Sequence, residues 1–116
     1  MKHALPLDVK RQKRSDGVVV IELTGELTVL TRDRLASAEA NAARVVIMAH
    51  GLTHFDTPGL ASLVRLAGGC AERGGRLAIV GLDADIQDMR HHLFLDEAIL
   101  FADDLEDAVA LVSAAP

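Results

Sequence analysis

Two short runs of uninterrupted apolar residues, RVVIMA at 44–49 and RLAIVG at 76–81, constrain this chain more than any other feature. Each is too short for a typical helix, and neither shows the alternation of a strand with one wet face. Both therefore read as strands buried on both faces. Such strands belong to a parallel sheet, and a parallel pair needs a crossover, which is right-handed and usually helical. The intervening sequence supplies it. Leu60, Leu63, Val64, Ala67, Cys70 and Ala71 recur at three-and-four spacing and form one apolar stripe.

The rest of the chain fits round this unit. LPLDVKRQK at 5–13 begins as an alternating pattern, and its proline and charges place it at a sheet edge. Ser15-Asp16-Gly17 is a turn signal, and VVVIELT at 18–24 follows at hairpin distance, so the first two strands are expected to be antiparallel neighbours. Leu35, Ala38 and Ala42 lie on one face of a first helix. Ile86, Met89, Arg90 and Leu93 mark a third helix, AILFA at 98–102 a last strand, and Leu105, Ala108, Val109 and Val112 a final helix. Asp83, and Asp103 or Asp104, can cap helix starts, while Gly74-Gly75 is a stop for the central helix. The expectation is a single α/β domain over 1–116 with its core in 18–114. It has a mixed, mostly parallel sheet of about five strands, an N-terminal antiparallel edge hairpin and about four helices.

Composition removes several classes of function. Half of the 116 residues are hydrophobic, enough for a core without metal or disulfide, and the single Cys70 excludes an internal disulfide. A net charge of −5 and only three aromatic residues argue against nucleic acid, which wants a basic face or stacking platforms. No apolar stretch reaches a membrane span of about 18 residues and no signal peptide is visible, so a cytoplasmic protein without membrane insertion is expected. His91 and His92 are adjacent and diverge on a helix, and His50 with His54 lacks a third ligand other than Asp56, so no metal is expected. Cys70 lies on an apolar stripe and reads as a packing residue, and the glycines form no phosphate loop, so neither a cofactor nor an enzyme is expected. The oligomeric state is open, a dimer included.

The chemistry concentrates at HFDTPGL, residues 54–60, where the strand ending near Ala49 hands over to the apolar helix. Thr57 reads as the N-cap, because Pro58 suits a first helical position and pushes its predecessor into the extended region. A hydroxyl is thereby placed at a helix start beyond the end of a parallel strand, the edge where open α/β sheets keep their functional groups. On the residues alone, Thr57 either only caps the helix, with Asp56 solvated or in a local turn, or faces a partner.

The stretch from Val18 to the C-terminus resembles the STAS domain family, in particular its anti-sigma factor antagonists. VVVIELTGELTVLTRDRL at 18–35 matches the strand, Gly-Glu-Leu corner and helix, and residues 44–81 match the strand, Asp-Ser/Thr-Ser-Gly-Leu turn, helix, glycine pair and strand. The resemblance implies a non-enzymatic regulatory module. It would dock on an anti-sigma factor that is also a serine/threonine kinase, through Glu26, Thr28, His54, Asp56, Thr57, Pro58, Gly59 and Leu60. A hydroxyl of the turn would accept phosphate, which adds about −1.5 to −2 charge at neutral pH, suits the helix start and repels the partner. The usual acceptor position is Pro58 here, so either Thr57 accepts the phosphate or the domain is not switched in this way. After Gly25-Glu26-Leu27 the loop runs Thr28-Val29-Leu30, less charged than in many relatives. An Asp-Thr-x-Gly-Leu turn also resembles the small STAS subunit of bacterial phospholipid-transport ABC systems, which docks on the ATP-binding subunit without phosphorylation.

Overall fold

The computed structural model describes residues 7–39, 41–82 and 99–114, and the side chains of 37–39 are left aside. Among these residues the order is β1 (Asp8–Lys13), β2 (Val19–Leu27), α1 (Arg32–Glu39), β3 (Arg44–Phe55), α2 (Thr57–Glu72), β4 (Arg76–Val80), β5 (Leu100–Ala102) and α3 (Leu105–Ser113). The five strands form one sheet in the order β1-β2-β3-β4-β5. β1 is antiparallel to β2 and every other pair is parallel, which agrees with the mixed sheet and edge hairpin expected from the sequence. Gly17, at a φ of +89°, makes the hairpin turn, and Asp16 accepts a bond from the Val18 amide at 3.0 Å. The helix expected around Ile86–Leu93, its Asp83 cap, and the His91-His92 pair fall outside the described residues.

The two uninterrupted runs are indeed wet on neither face. Val45, Ile47, Leu77 and Ile79 join Ile21, Leu23, Leu60 and Leu63 on one side of the sheet, under α1 and α2. Val46, Ala78 and Val80 join Ala108 and Val112 of α3 on the other. Burying a side chain of this size is worth roughly 1.5–3 kcal/mol, so the two-sided packing of β3 and β4 is the main anchor of the fold. Along α2 the buried apolar side chains are Leu60, Leu63, Leu66, Ala67 and Cys70, while Ala71 of the expected stripe is exposed. Ala42 is buried but lies beyond the end of α1, not on its face.

β3 is longer than its apolar run. It does not end at Ala49 but pairs with β2 as far as Phe55, with Gly51 opposite Thr24 and His54 opposite Glu26. The reason is non-local. β2 itself runs on to Leu27 and offers ladder partners to a segment whose own composition does not call for a strand. Register shifts between Glu22 and Thr24 and between Gly25 and Glu26 absorb the mismatch. At the far end of α2, Gly74 takes a φ of +81°, its amide donates to the Ala71 carbonyl, and the Gly75 amide donates to that of Cys70. The glycine pair is thus a helix stop with both orphan carbonyls satisfied.

Candidate functional site

Because β2 and β3 are parallel, the loops that follow them emerge side by side at the same edge of the sheet. The first is Thr28–Thr31. Its Thr31 hydroxyl accepts from the Thr28 amide at 2.9 Å and donates to the Glu26 carbonyl at 2.7 Å. The Thr28 hydroxyl accepts from the Leu30 amide at 3.2 Å. These bonds fold the loop so that its apolar tip points outward: Val29 is 50% exposed and Leu30 90%. They are the exposed large hydrophobic side chains of the described residues.

The second segment is the turn into α2, where the structure corrects the capping residue. Asp56, not Thr57, is the N-cap, with extended backbone (φ −115°, ψ 176°) and one carboxylate oxygen accepting the Gly59 amide at 2.7 Å. The other oxygen accepts the Val29 amide at 3.0 Å, across 27 residues of sequence. A carboxylate has two acceptor oxygens where a hydroxyl has one, so Asp56 can hold both segments together and takes the cap from its neighbour. Thr57 becomes the first helical residue and its side chain is exposed. The Val29 amide, ahead of that of Gly59, holds the Asp56 carboxyl below the ordinary aspartate value of 3.8, and nearby His54 acts in the same direction.

This arrangement leaves little room for a further anion on the helix start. Pro58 has no amide hydrogen, the Gly59 amide is taken by Asp56, and the Leu60 amide donates to the Asp56 carbonyl at 3.0 Å. The expectation that the helix end itself would welcome a phosphate is therefore revised, because an ionised carboxylate already sits there. Gly59 is buried against the end of β2, where an added Cβ would lie 2.7 Å from the Leu27 carbonyl carbon and closer still to its oxygen. Glycine is what lets the helix start approach this strand.

Of the residues expected to meet a partner, Thr57 and His54 are exposed, and Glu26, Thr28, Asp56 and Pro58 half-buried. Gly59 and Leu60 are buried and serve packing. Sequence reasoning did not single out Leu30 as an anchor, although an apolar pair inside a turn is a readable signal. Nor did it pick out Ser62, whose buried hydroxyl donates to the Gly59 carbonyl one turn into α2. Among the described residues no three His, Cys, Asp or Glu side chains converge as a metal site, and no helix is long and apolar enough to cross a membrane.

The family model described as "Mlab, STAS domain" matches residues 11–107. The chain belongs to the STAS domain family. No curated protein sequence matches it significantly. Among solved structures, this STAS domain is similar to a putative anti-sigma factor antagonist from Thermotoga maritima, with a TM-score of 0.74, 15% identity, and 91% and 95% of the two chains covered. An anti-sigma factor antagonist from Mycobacterium paratuberculosis gives 0.72 at 21% identity, covering 93% and 95%. Bacillus SpoIIAA in its phosphorylated form gives 0.66 at 17% identity, covering 90% and 99%. At these identities the likeness is one of fold.

Proposed function

We propose that this STAS domain is a non-enzymatic regulatory docking module of the anti-sigma factor antagonist type. Its binding surface is the rim formed by Val29, Leu30, Thr57 and His54, and its partner is an anti-sigma factor with serine/threonine kinase character. One observation carries the reading: the most exposed apolar side chains lie on the loop that Asp56 ties to the exposed Thr57. Exposed apolar side chains rimmed by polar groups are a common mark of a protein-interaction surface. A phosphate on Thr57 would add about −1.5 to −2 charge next to the ionised Asp56 and an apolar tip. In the first turn the Gly59 and Leu60 amides are already engaged and Pro58 has none, so the domain compensates the charge only weakly and the repulsion would fall on the docked partner.

The test is association with the cognate anti-sigma factor, measured by calorimetry. Leu30→Asp and Thr57→Glu should each weaken binding by at least about tenfold, the loss of one modest hot-spot contact. Incubation with partner and ATP followed by mass spectrometry should place phosphate on Thr57. Unchanged affinity in both variants would defeat the docking surface, and an unmodified Thr57 would defeat the switch alone.

A second reading is favoured by Pro58, which occupies the usual acceptor position, and by the description of the matching family model. In it the same rim docks permanently on the ATP-binding subunit of a phospholipid-transport ABC system, with Thr57 as a contact. Copurification from the native cell with an ABC ATPase in place of a kinase would select it.

A further inference from the structure

A groove of about 200 Å³ runs between α1 and α2, and none of the rim residues Val29, Leu30, His54 or Thr57 lines it. Its floor is apolar, from Leu35, Leu66 and the bare backbone of Gly69. Its walls carry Arg32, Arg65 and Arg73 against a single carboxylate, that of Asp33. Three positive charges and one negative leave it at +2, in a chain whose net charge is −5. Arg73 is engaged, donating to the Asn41 side chain at 3.2 Å and the Ala42 carbonyl at 3.5 Å, and it closes the far end. The Arg32 and Arg65 side chains have no hydrogen-bond or ion-pair partner among the described residues.

Two guanidinium groups without side-chain partners, lining one groove over an apolar floor, offer paired donors to an anion, which would also offset their like charge. We propose that the groove binds a small organic anion, a phosphate or carboxylate carrying a short apolar arm. Its head lies between Arg32 and Arg65 and its arm over Leu35, Leu66 and Gly69. Guanidinium recognises both oxyanions through paired N–H donors. The volume is below the roughly 300–1,000 Å³ of sites for drug-sized ligands, so the arm is short. Ser62 lines the same groove and donates its hydroxyl to the Gly59 carbonyl, so an occupant would touch the residue that braces the Asp56 turn. The groove is thereby an effector site next to the docking rim, and its existence does not depend on which partner the rim takes.

Calorimetric titration of the purified chain with hexyl phosphate tests this, with inorganic phosphate and hexanol as the two halves of the probe. Hexyl phosphate should bind at least about tenfold more tightly than either half, and Arg32→Gln and Arg65→Gln should each weaken it by about tenfold or more. Neither arginine side chain has a partner among the described residues, and thermal melts of both variants check that they fold. Leu30→Asp should leave binding unchanged. A second arm separates the sources of such an anion, using phosphatidylcholine vesicles with and without phosphatidic acid. Retention on the acidic vesicles that is lost in Arg65→Gln assigns a lipid headgroup. Binding of hexyl phosphate without vesicle retention assigns a free metabolite. No binding of hexyl phosphate at millimolar concentration, or equal binding by parent and both arginine variants, overturns the proposal.

Discussion

Two glycines of α2 make a controlled experiment on what positions the rim. Gly59 lies in the first turn, where an added Cβ would sit 2.7 Å from the Leu27 carbonyl carbon and 3.1 Å from the Asp56 carboxylate. Gly68 lies in the same helix with nothing within 4 Å of the equivalent point. Replacing either by alanine removes the same backbone freedom from the unfolded chain, which favours folding by about 0.5–1 kcal/mol in a helix interior. At Gly68 nothing opposes that gain, so Gly68→Ala should stabilise by about 0.5–1 kcal/mol. At Gly59 the methyl group meets backbone that cannot rotate away, and forced overpacking costs typically 1–3 kcal/mol. The net expectation for Gly59→Ala is a loss of about 1–2 kcal/mol, the clash exceeding the propensity gain. With an unfolding entropy of about 2.1 cal/mol/K per residue, 116 residues give about 0.24 kcal/mol/K, so each kcal/mol moves Tm by about 4 °C. Far-UV circular dichroism is the suitable probe, since the chain has no Trp or Tyr to report by fluorescence. If Gly59→Ala proves as stable as Gly68→Ala, the close approach of α2 to β2 is not a constraint and the account of the rim fails.

Asp56→Asn should loosen the loop while leaving the sheet intact. An amide offers one acceptor oxygen, so its NH₂ must face either the Gly59 or the Val29 amide, and a bond is lost. The expected readout is faster hydrogen exchange at Val29, by about tenfold or more, and unchanged protection there would contradict the bridging role. Acid should act on the same contact. The folded Asp56 carboxyl titrates below its ordinary value of 3.8, as does that of Asp16, whose carboxylate accepts the Val18 amide and lies beside Arg14. A depressed folded value means the stabilisation is complete above the unfolded value and is lost as pH falls through the lower folded one. Urea midpoints should therefore fall as the pH drops below about 4. The fall should be shallower in Asp56→Asn, and an identical pH profile in the two proteins would rule the contribution out.

Where the physics was local, the sequence was a sufficient guide. Uninterrupted RVVIMA and RLAIVG suit strands covered on both faces, as in a parallel sheet, and the structure puts alternate residues of each run into separate clusters. The Gly74-Gly75 stop and the choice of Asp103 or Asp104 as a cap were equally local, and Asp104 caps α3 by accepting the Asp107 amide at 2.8 Å. The misreadings share one cause, pairing across long sequence separation. His50, Gly51, Thr53 and His54 carry no strand signal, and they extend β3 only because β2 lies alongside. The cap moved from Thr57 to Asp56 because the Val29 amide, 27 residues away, offers the second oxygen a partner. No local propensity contains that bond.

That single carboxylate ties an exposed rim to the packed body of the domain. A loop with a 90% exposed leucine at its tip would ordinarily be expected to move, since it gains little from burial. Here the tip is tied at Val29 to a residue that also caps a sixteen-residue helix packed on the core. Displacing the tip therefore costs the helix its N-cap bond or the carboxylate its second donor, and either penalty is larger than a loop alone could impose. The topology makes the tie possible, because adjacent parallel strands deliver their following loops to one edge. Gly59 keeps the helix start close enough to that edge for the Asp56 side chain to span the gap. On the proposed docking role, a partner would meet an apolar anchor and a hydroxyl already linked through Asp56, and less ordering entropy would be lost on binding than against a free loop.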